Sequence, residues 1–106
     1  MSDTEVLRAA LYEAVDGLTD IGWKKMFGCE AVFRDGTIFG LIWKEGCIGL
    51  KFVNPTEFEL RMEQEGSQRW EPGGRVTKHW VLIPQAAVDD EAALKEWVQT
   101  SHSSIF

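Results

Sequence analysis

The chain begins with a helical spacing of apolar residues and then changes to the alternation of strands. Within residues 2–18, apolar side chains recur every three or four positions, which predicts an amphipathic helix. They are Leu7, Ala10, Leu11, Ala14 and Leu18. Residues 25–53 predict a three-stranded meander, because Asp35-Gly36 and Glu45-Gly46 are typical of tight hairpin turns.

The second half of the chain predicts two helices and two strands. Asn54-Pro55 is typical of a helix start, and Pro84 is expected to end a strand that begins at Val76. A short strand is expected around residues 69–71, and Asp89 or Asp90 caps the last helix. We therefore expect an α+β fold with an antiparallel sheet and the order α-β-β-β-α-β-β-α, in a single domain spanning residues 1–106.

The middle strand of the meander is apolar on both faces. Regular alternation places Ile38, Gly40 and Ile42 on the buried face, together with Cys29, Ala31 and Phe33 of the first strand. The opposite face then presents Phe39, Leu41 and Trp43. Such a stripe requires a cover, either the first or last helix of the same chain or a partner. We expect Phe39, Leu41 and Trp43 to contact a protein partner or a second copy of the chain.

The composition limits the kinds of partner. Lys plus Arg number 11 and Asp plus Glu number 17, a net charge of −6, which opposes non-specific phosphate binding. We therefore expect no direct nucleic-acid binding. Apolar runs such as Thr37–Trp43 are far shorter than the roughly 20 residues of a membrane span, and residues 1–20 lack the pattern of a signal peptide. We expect a cytoplasmic protein without membrane contact.

Candidate chemistry is sparse. Cys29, Cys47, His79 and His102 are scattered, without the close spacing of zinc ligands. Regular pairing puts the two cysteines on non-adjacent strands and opposite faces, beyond the reach of a disulfide. The sequence also shows no framed nucleophile–base pair and no glycine-rich phosphate loop. We expect no enzymatic activity, no metal and no cofactor.

A cationic cluster interrupts the acidic chain near residue 70. It consists of Arg69, Arg75 and Lys78, with His79 next to Lys78. The simpler interpretation is a solvated face, with His79 on the solvent side of a strand. The alternative interpretation is a small-molecule or anion-binding domain that uses Arg69, Arg75 and Lys78.

Several short motifs occur in a specific order and spacing. They are Lys24-Lys25-Met26-Phe27-Gly28, Val32-Phe33-Arg34-Asp35-Gly36, Phe39-Gly40-Leu41-Ile42 and Ile48-Gly49-Leu50-Lys51. Together they resemble the N-terminal domain of the TfoX/Sxy family of bacterial competence regulators, over nearly the whole chain. The resemblance implies a two-layer, secretion-chaperone-like fold with Phe27 in the core, and a non-enzymatic role. We interpret the chain as a small protein-interaction module of a regulatory kind.

Overall fold

A computed structural model describes residues 3–26, 28–43, 46–75 and 77–105, and it confirms the α+β class. The described residues form an antiparallel six-stranded sheet in the order β1-β2-β3-β4-β6-β5. The strands are β1 (Ile21–Met26), β2 (Cys29–Arg34), β3 (Thr37–Trp43), β4 (Cys47–Lys51), β5 (Gln68–Arg69) and β6 (Trp80–Leu82). The helices are α1 (Asp3–Ala14), α2 (Pro55–Met62), α3 (Gln85–Val88) and α4 (Glu91–Ser104), with a 3₁₀ turn at Pro72–Gly74.

The meander has four strands rather than the predicted three. The additional strand, β1, pairs with β2 from Ile21 opposite Arg34 to Met26 opposite Cys29. It lies at the edge of the sheet and exposes both Lys24 and Lys25, so it lacks the apolar alternation that marks a half-buried strand. The short helix α3 was also not predicted. Phe27, predicted as core, Glu45 of the second turn and Val76 at the expected strand start lie outside the described residues.

One face of the sheet packs against the helices and forms the first core cluster, here called the helix-side core. From the sheet and the residues adjoining its strands, its members are Val32, Phe39, Ile42, Ile48, Leu50, Phe52, Val81 and Ile83. From the helices and the residue after α1, its members are Leu7, Leu11, Ala14, Val15, Ala87, Leu94, Trp97 and Val98. No helix in the described part of the chain is long and apolar enough to cross a membrane.

The opposite face of the sheet carries a second cluster, here called the outer core. Its members are Cys29, Ala31, Phe33, Leu41, Trp43, Trp70, Trp80 and Leu82. Trp70, which follows β5, has its ring centroid 5.4 Å from that of Trp43 and 5.1 Å from that of Trp80. Thr77 Oγ1 donates a hydrogen bond of 2.6 Å to the Trp70 carbonyl. The segment after β5 therefore contributes an indole to the cover of this face.

A β-bulge in β3 decides which core each side chain joins. Val32 pairs with Gly40 and Phe33 pairs with Ile38, so Phe39 is an extra residue in the register. Phe39 consequently points into the helix-side core, whereas Ile38 packs against the outer core. The regular alternation predicted for the meander is therefore wrong, because an offset of one residue exchanges the faces of a strand. Cys29, Ala31 and Phe33 likewise lie on the outer face, not on the face with Ile42.

The C-terminal turn of α4 is held against the sheet by polar contacts. Arg34 Nη1 donates a hydrogen bond of 2.8 Å to the carbonyl oxygen of His102. His102 Nε2 lies 2.8 Å from the Thr19 carbonyl oxygen, and because a carbonyl can only accept, this ring nitrogen carries the proton. His102 is buried, so its polar ring is satisfied inside the fold and connects α4 to the start of the sheet.

Candidate functional site

The three residues predicted to contact a partner are buried within the chain itself. Phe39 and Leu41 are 0% exposed and Trp43 is 7% exposed. Phe39 faces the helices and makes an edge contact with His102, while Leu41 and Trp43 lie in the outer core with Trp70. The predicted exposed stripe is therefore wrong, because the bulge turns Phe39 to the helix side and the chain covers the other two. Partner binding at another surface stays a prediction.

The two cysteines also lie differently from the prediction. Cys29 belongs to the outer core and Cys47 packs against it, so they share one face of the sheet. Strand β3 separates their strands, and two strand spacings amount to about 10 Å, beyond the about 7 Å that a disulfide can span. Both are thiols in the structure. Among the described residues, no group of three or more His, Cys, Asp or Glu side chains could hold a metal ion.

Two members of the predicted cationic patch meet at a surface groove between α2 and the segments that contain β5 and the turn before β6. The groove has a volume of about 240 Å³. Its lining residues are Pro55, Phe58, Glu59, Arg69, Lys78 and His79, and we call it the Phe58 groove. Arg69 and Lys78 therefore lie on a common surface, whereas Arg75 does not line the groove.

The start of α2 positions Phe58. Asn54 Oδ1 accepts a hydrogen bond of 3.1 Å from the backbone N–H of Glu57, and Pro55 occupies the first helical turn. Phe58 lies one turn further on, half-buried and packed against the helix-side core. Local sequence therefore fixes where the helix begins, and tertiary packing fixes the inner side of the ring.

Arg61 fastens the other end of α2 to α4. Its guanidinium lies 4.7 Å from the Trp97 ring centroid and donates hydrogen bonds to Glu57, Glu96 and Thr100. The bond from Arg61 lowers the pKa of Glu96, and the same bond to Glu96 raises the pKa of Arg61. Arg61 is thus a structural cation that immobilises α2, and it is not among the residues lining the groove.

Arg69 reaches the groove from the edge strand β5. Because it pairs with Val81, whose side chain is in the helix-side core, Arg69 projects toward the helices. Its guanidinium carbon lies 5.6 Å from the centroid of the Phe58 ring, within the range of a cation–π contact. Arg69 is nevertheless exposed, so its charge is accessible to a ligand.

His79 enters the groove from a left-handed turn. Its φ is +70°, an uncommon value for a residue other than glycine, although histidine tolerates it better than most. The Phe52 N–H donates a hydrogen bond of 2.7 Å to the His79 carbonyl and holds this turn. The ring stands edge-on to Phe58, with 6.4 Å between centroids. The predicted solvent-facing strand position is therefore wrong, since His79 is half-buried and precedes β6.

The groove combines positive charge with an aromatic surface. Its described lining residues include two cations, Arg69 and Lys78, and one carboxylate, that of Glu59, while the whole chain has a net charge of −6. Such a surface can bind an anionic group that lies beside an apolar one. The sequence identified the two cations but missed Phe58 and Pro55, because their proximity depends on how α2 packs beside β6.

A second groove lies between α1 and the α3–α4 region and differs in charge. It has a volume of about 150 Å³. Its lining residues are Ala10, Glu13, Ala14, Val88, Asp89, Glu91, Leu94 and Lys95. Since three carboxylates accompany one cation there, this surface repels the anions that the Phe58 groove attracts.

Comparison with known proteins identifies the family. Residues 13–105 match the model of the TfoX N-terminal domain, which covers nearly the whole chain and includes every residue of the Phe58 groove. The comparison with curated proteins found no match, and neither did the comparison with solved structures. The motifs of the meander, the α+β architecture and the extent of the match agree, and the chain belongs to the TfoX N-terminal domain family.

Proposed function

We propose that this domain is a non-enzymatic protein-binding module of a regulatory kind, and that it contacts its partner through the Phe58 groove. Membership in the TfoX N-terminal domain family supports a role like that of a domain of competence regulators. The family is not known for enzymatic activity. Protein contacts are therefore the simplest way for such a domain to act.

The observation that carries the proposal is that Arg69 and Lys78 line one groove with the partly exposed Phe58 ring, which the Arg69 guanidinium contacts. Aromatic residues and arginine are enriched where proteins bind one another. The volume of about 240 Å³ is smaller than the roughly 300–1,000 Å³ of typical small-molecule pockets. A groove of this size suits one or two side chains of a partner better than a whole enclosed metabolite.

The test uses the tagged chain as bait in a cross-linking pull-down from its native cell extract. Wild type is compared with Arg69→Glu, Lys78→Glu and the control Lys95→Glu, which reverses an exposed charge in the other groove. We expect a partner that wild type and Lys95→Glu recover and that both groove variants lose. Equal recovery by all four folded proteins would contradict the proposal, and circular dichroism with thermal melting verifies the fold of each.

The alternative function is binding of a small anionic molecule, and it is favoured by the same pairing of Arg69 with Lys78. A ligand that binds only the folded state raises its stability according to the ratio of free ligand to Kd. A panel of anionic metabolites should then raise the melting temperature of wild type and of Lys95→Glu, but not that of Arg69→Glu. The absence of any groove-dependent shift would contradict this alternative.

A further inference from the structure

The charges of the lining residues distinguish the Phe58 groove from the groove between α1 and the α3–α4 region. Arg69 and Lys78 are both exposed in the Phe58 groove. The α1–α4 groove presents Glu13, Asp89 and Glu91 instead. An acidic ligand is attracted at the first surface and repelled at the second, and repulsion at the wrong surface contributes to specificity.

The aromatic ring of Phe58 in the groove favours a ligand that carries an apolar group beside its acidic charge. Phe58 packs inward against the helix-side core, and the ring also lines the groove next to Pro55. Arg69 and His79 hold the ring by a cation–π contact and an edge contact. A ligand that carries only charge would leave this apolar surface without a partner.

The edge of the sheet lies beside the groove. Strand β5 (Gln68–Arg69) pairs with β6 on one side, and on its other side no strand pairs with it in the described part of the chain. Arg69 belongs both to this edge strand and to the groove lining. An extended polypeptide can therefore form main-chain hydrogen bonds with an edge of this kind while its side chains enter the groove.

Glu59 disfavours a compact dianion. Its carboxylate lines the same groove as Arg69 and Lys78, so a phosphate group would bring two negative charges close to a third. Carboxylates distributed along a polypeptide can contact the two cations and avoid Glu59. None of its described lining residues is a glycine, whereas a glycine-rich nest of backbone N–H groups is typical of phosphate sites.

We propose that the Phe58 groove binds an extended acidic segment of a partner protein. Carboxylates of the segment pair with Arg69 and Lys78, and an apolar side chain of the segment contacts Phe58 and Pro55. This inference rests on the proposed function and adds the chemistry of the partner.

The test measures binding of a fluorescein-labelled peptide of about ten residues, which extends to about 33 Å and can span the domain, whose longest dimension is 30 Å. The acidic peptide has Asp and Glu on both sides of one Phe. One matched peptide replaces these residues by Asn and Gln, and another replaces the Phe by Ser. Fluorescence anisotropy is recorded with wild type, Arg69→Glu, Lys78→Glu and Lys95→Glu, and inorganic phosphate serves as a competitor.

We expect wild type and Lys95→Glu to bind the acidic peptide, and each groove variant to raise its Kd about tenfold, the change that corresponds to 1.4 kcal/mol. Both matched peptides should bind more weakly. Three results would overturn the inference. The acidic and amide peptides could bind with equal affinity, all four proteins could bind the acidic peptide equally, or phosphate could displace that peptide at constant ionic strength.

The two proposals fail in different ways. If the groove captures a partner but does not bind the acidic peptide, the inference of an acidic segment is overturned and the protein-binding function is retained. Peptide binding without groove-dependent capture of any protein supports the chemistry of the groove but contradicts the proposed function. Phe58→Leu and Phe58→Ser provide a further comparison. Because leucine keeps an apolar side chain in the groove, Phe58→Leu should raise the Kd of the acidic peptide less than Phe58→Ser does.

Discussion

The hydroxyl oxygen of Ser101 lies 3.1 Å from the carbonyl oxygen of Phe39, the residue that the bulge inserts into β3. The same hydroxyl lies 2.6 Å from the Lys51 carbonyl at the end of β4. Its single proton is shared between these two acceptors, and Ser101 is 0% exposed. This buried contact joins α4 to two strands at the bulge that turns Phe39 toward the helices.

Replacing Ser101 by alanine should destabilise the fold. The substitution removes the hydroxyl that donates to the Phe39 carbonyl and the nearer of two hydroxyl donors to the Lys51 carbonyl, the other being that of Ser104. An unsatisfied buried acceptor costs about 1–3 kcal/mol. We expect the free energy of unfolding in urea to fall by that amount. Ser103→Ala is the matched control, since Ser103 is an exposed residue of the same helix. Equal unfolding free energies of the two variants would show that the Ser101 contact contributes nothing.

Trp43 should behave as a core residue rather than as an interface residue. It is 7% exposed and meets Trp70 edge-on, so Trp43→Ala should lower the free energy of unfolding by about 3–5 kcal/mol. Trp43→Glu should unfold the domain. Leu60→Glu, at a position that is 51% exposed, should change stability by less than about 0.5 kcal/mol. A Trp43→Glu variant that stays folded and differs only in its sedimentation would contradict this assignment.

A side chain at Gly40 is expected to destabilise the fold. A Cβ atom there would lie 2.9 Å from Val32 Cγ1 and 3.1 Å from Leu50 Cδ2, so Gly40→Ala overpacks the helix-side core at a cost of about 1–3 kcal/mol. Gly22 in β1 is the control, because a Cβ added there meets nothing within 4 Å. Thermal melting should separate the two alanine variants. A Gly40→Ala melting temperature equal to that of Gly22→Ala would be incompatible with the packing described.

The contact between Arg61 and Glu96 should make stability depend on pH. Arg61 lowers the pKa of Glu96 from its ordinary value of 4.5, so the contact stabilises the fold fully above that value. Its contribution is lost as the pH falls through the lower pKa of the folded state. Because the Glu96 side chain is 57% exposed, the contribution is only about 0.5–1 kcal/mol.

Urea unfolding of wild type and Glu96→Gln measures this contribution. The difference in unfolding free energy should be largest near pH 7 and should shrink between about pH 5 and about pH 3. A difference that grows as the pH falls would have the wrong sign for a carboxylate with a lowered pKa.

The sequence allowed the fold class to be predicted, because hairpin turns, helix starts and the change of periodicity are local signals. It did not reveal the bulge, since every residue from Ile38 to Trp43 except Gly40 is large and apolar and either face accommodates each of them. The hydroxyl of Ser101, which contacts the bulge residue, comes more than 60 positions later in the chain. β1 was missed because its apolar face is short: Ile21 and Trp23 pack against the helix-side core, but the next residue on that face is the exposed Lys25.

The candidate site was predictable only as a set of charges. Arg69 and Lys78 stand out locally in an acidic chain, whereas the groove also requires Phe58 of α2. These residues come together because of the strand order. β6 pairs with β4 and β5 lies outside β6, so the two strands follow each other in the sheet in the reverse of their order along the chain. No local pattern indicates that inversion. The same topology leaves Arg75 outside the groove, although it lies between Arg69 and Lys78 in the sequence.

Exchanging the charges of groove and peptide tests most directly whether the Phe58 groove binds an acidic segment. The acidic peptide and a counterpart with Lys in place of Asp and Glu are each titrated into wild type and into the double variant Arg69→Glu with Lys78→Glu. We predict that wild type prefers the acidic peptide and that the double variant prefers the basic one, each by about tenfold or more in Kd. An unchanged preference in the double variant, with its fold intact, would contradict the assignment of the groove.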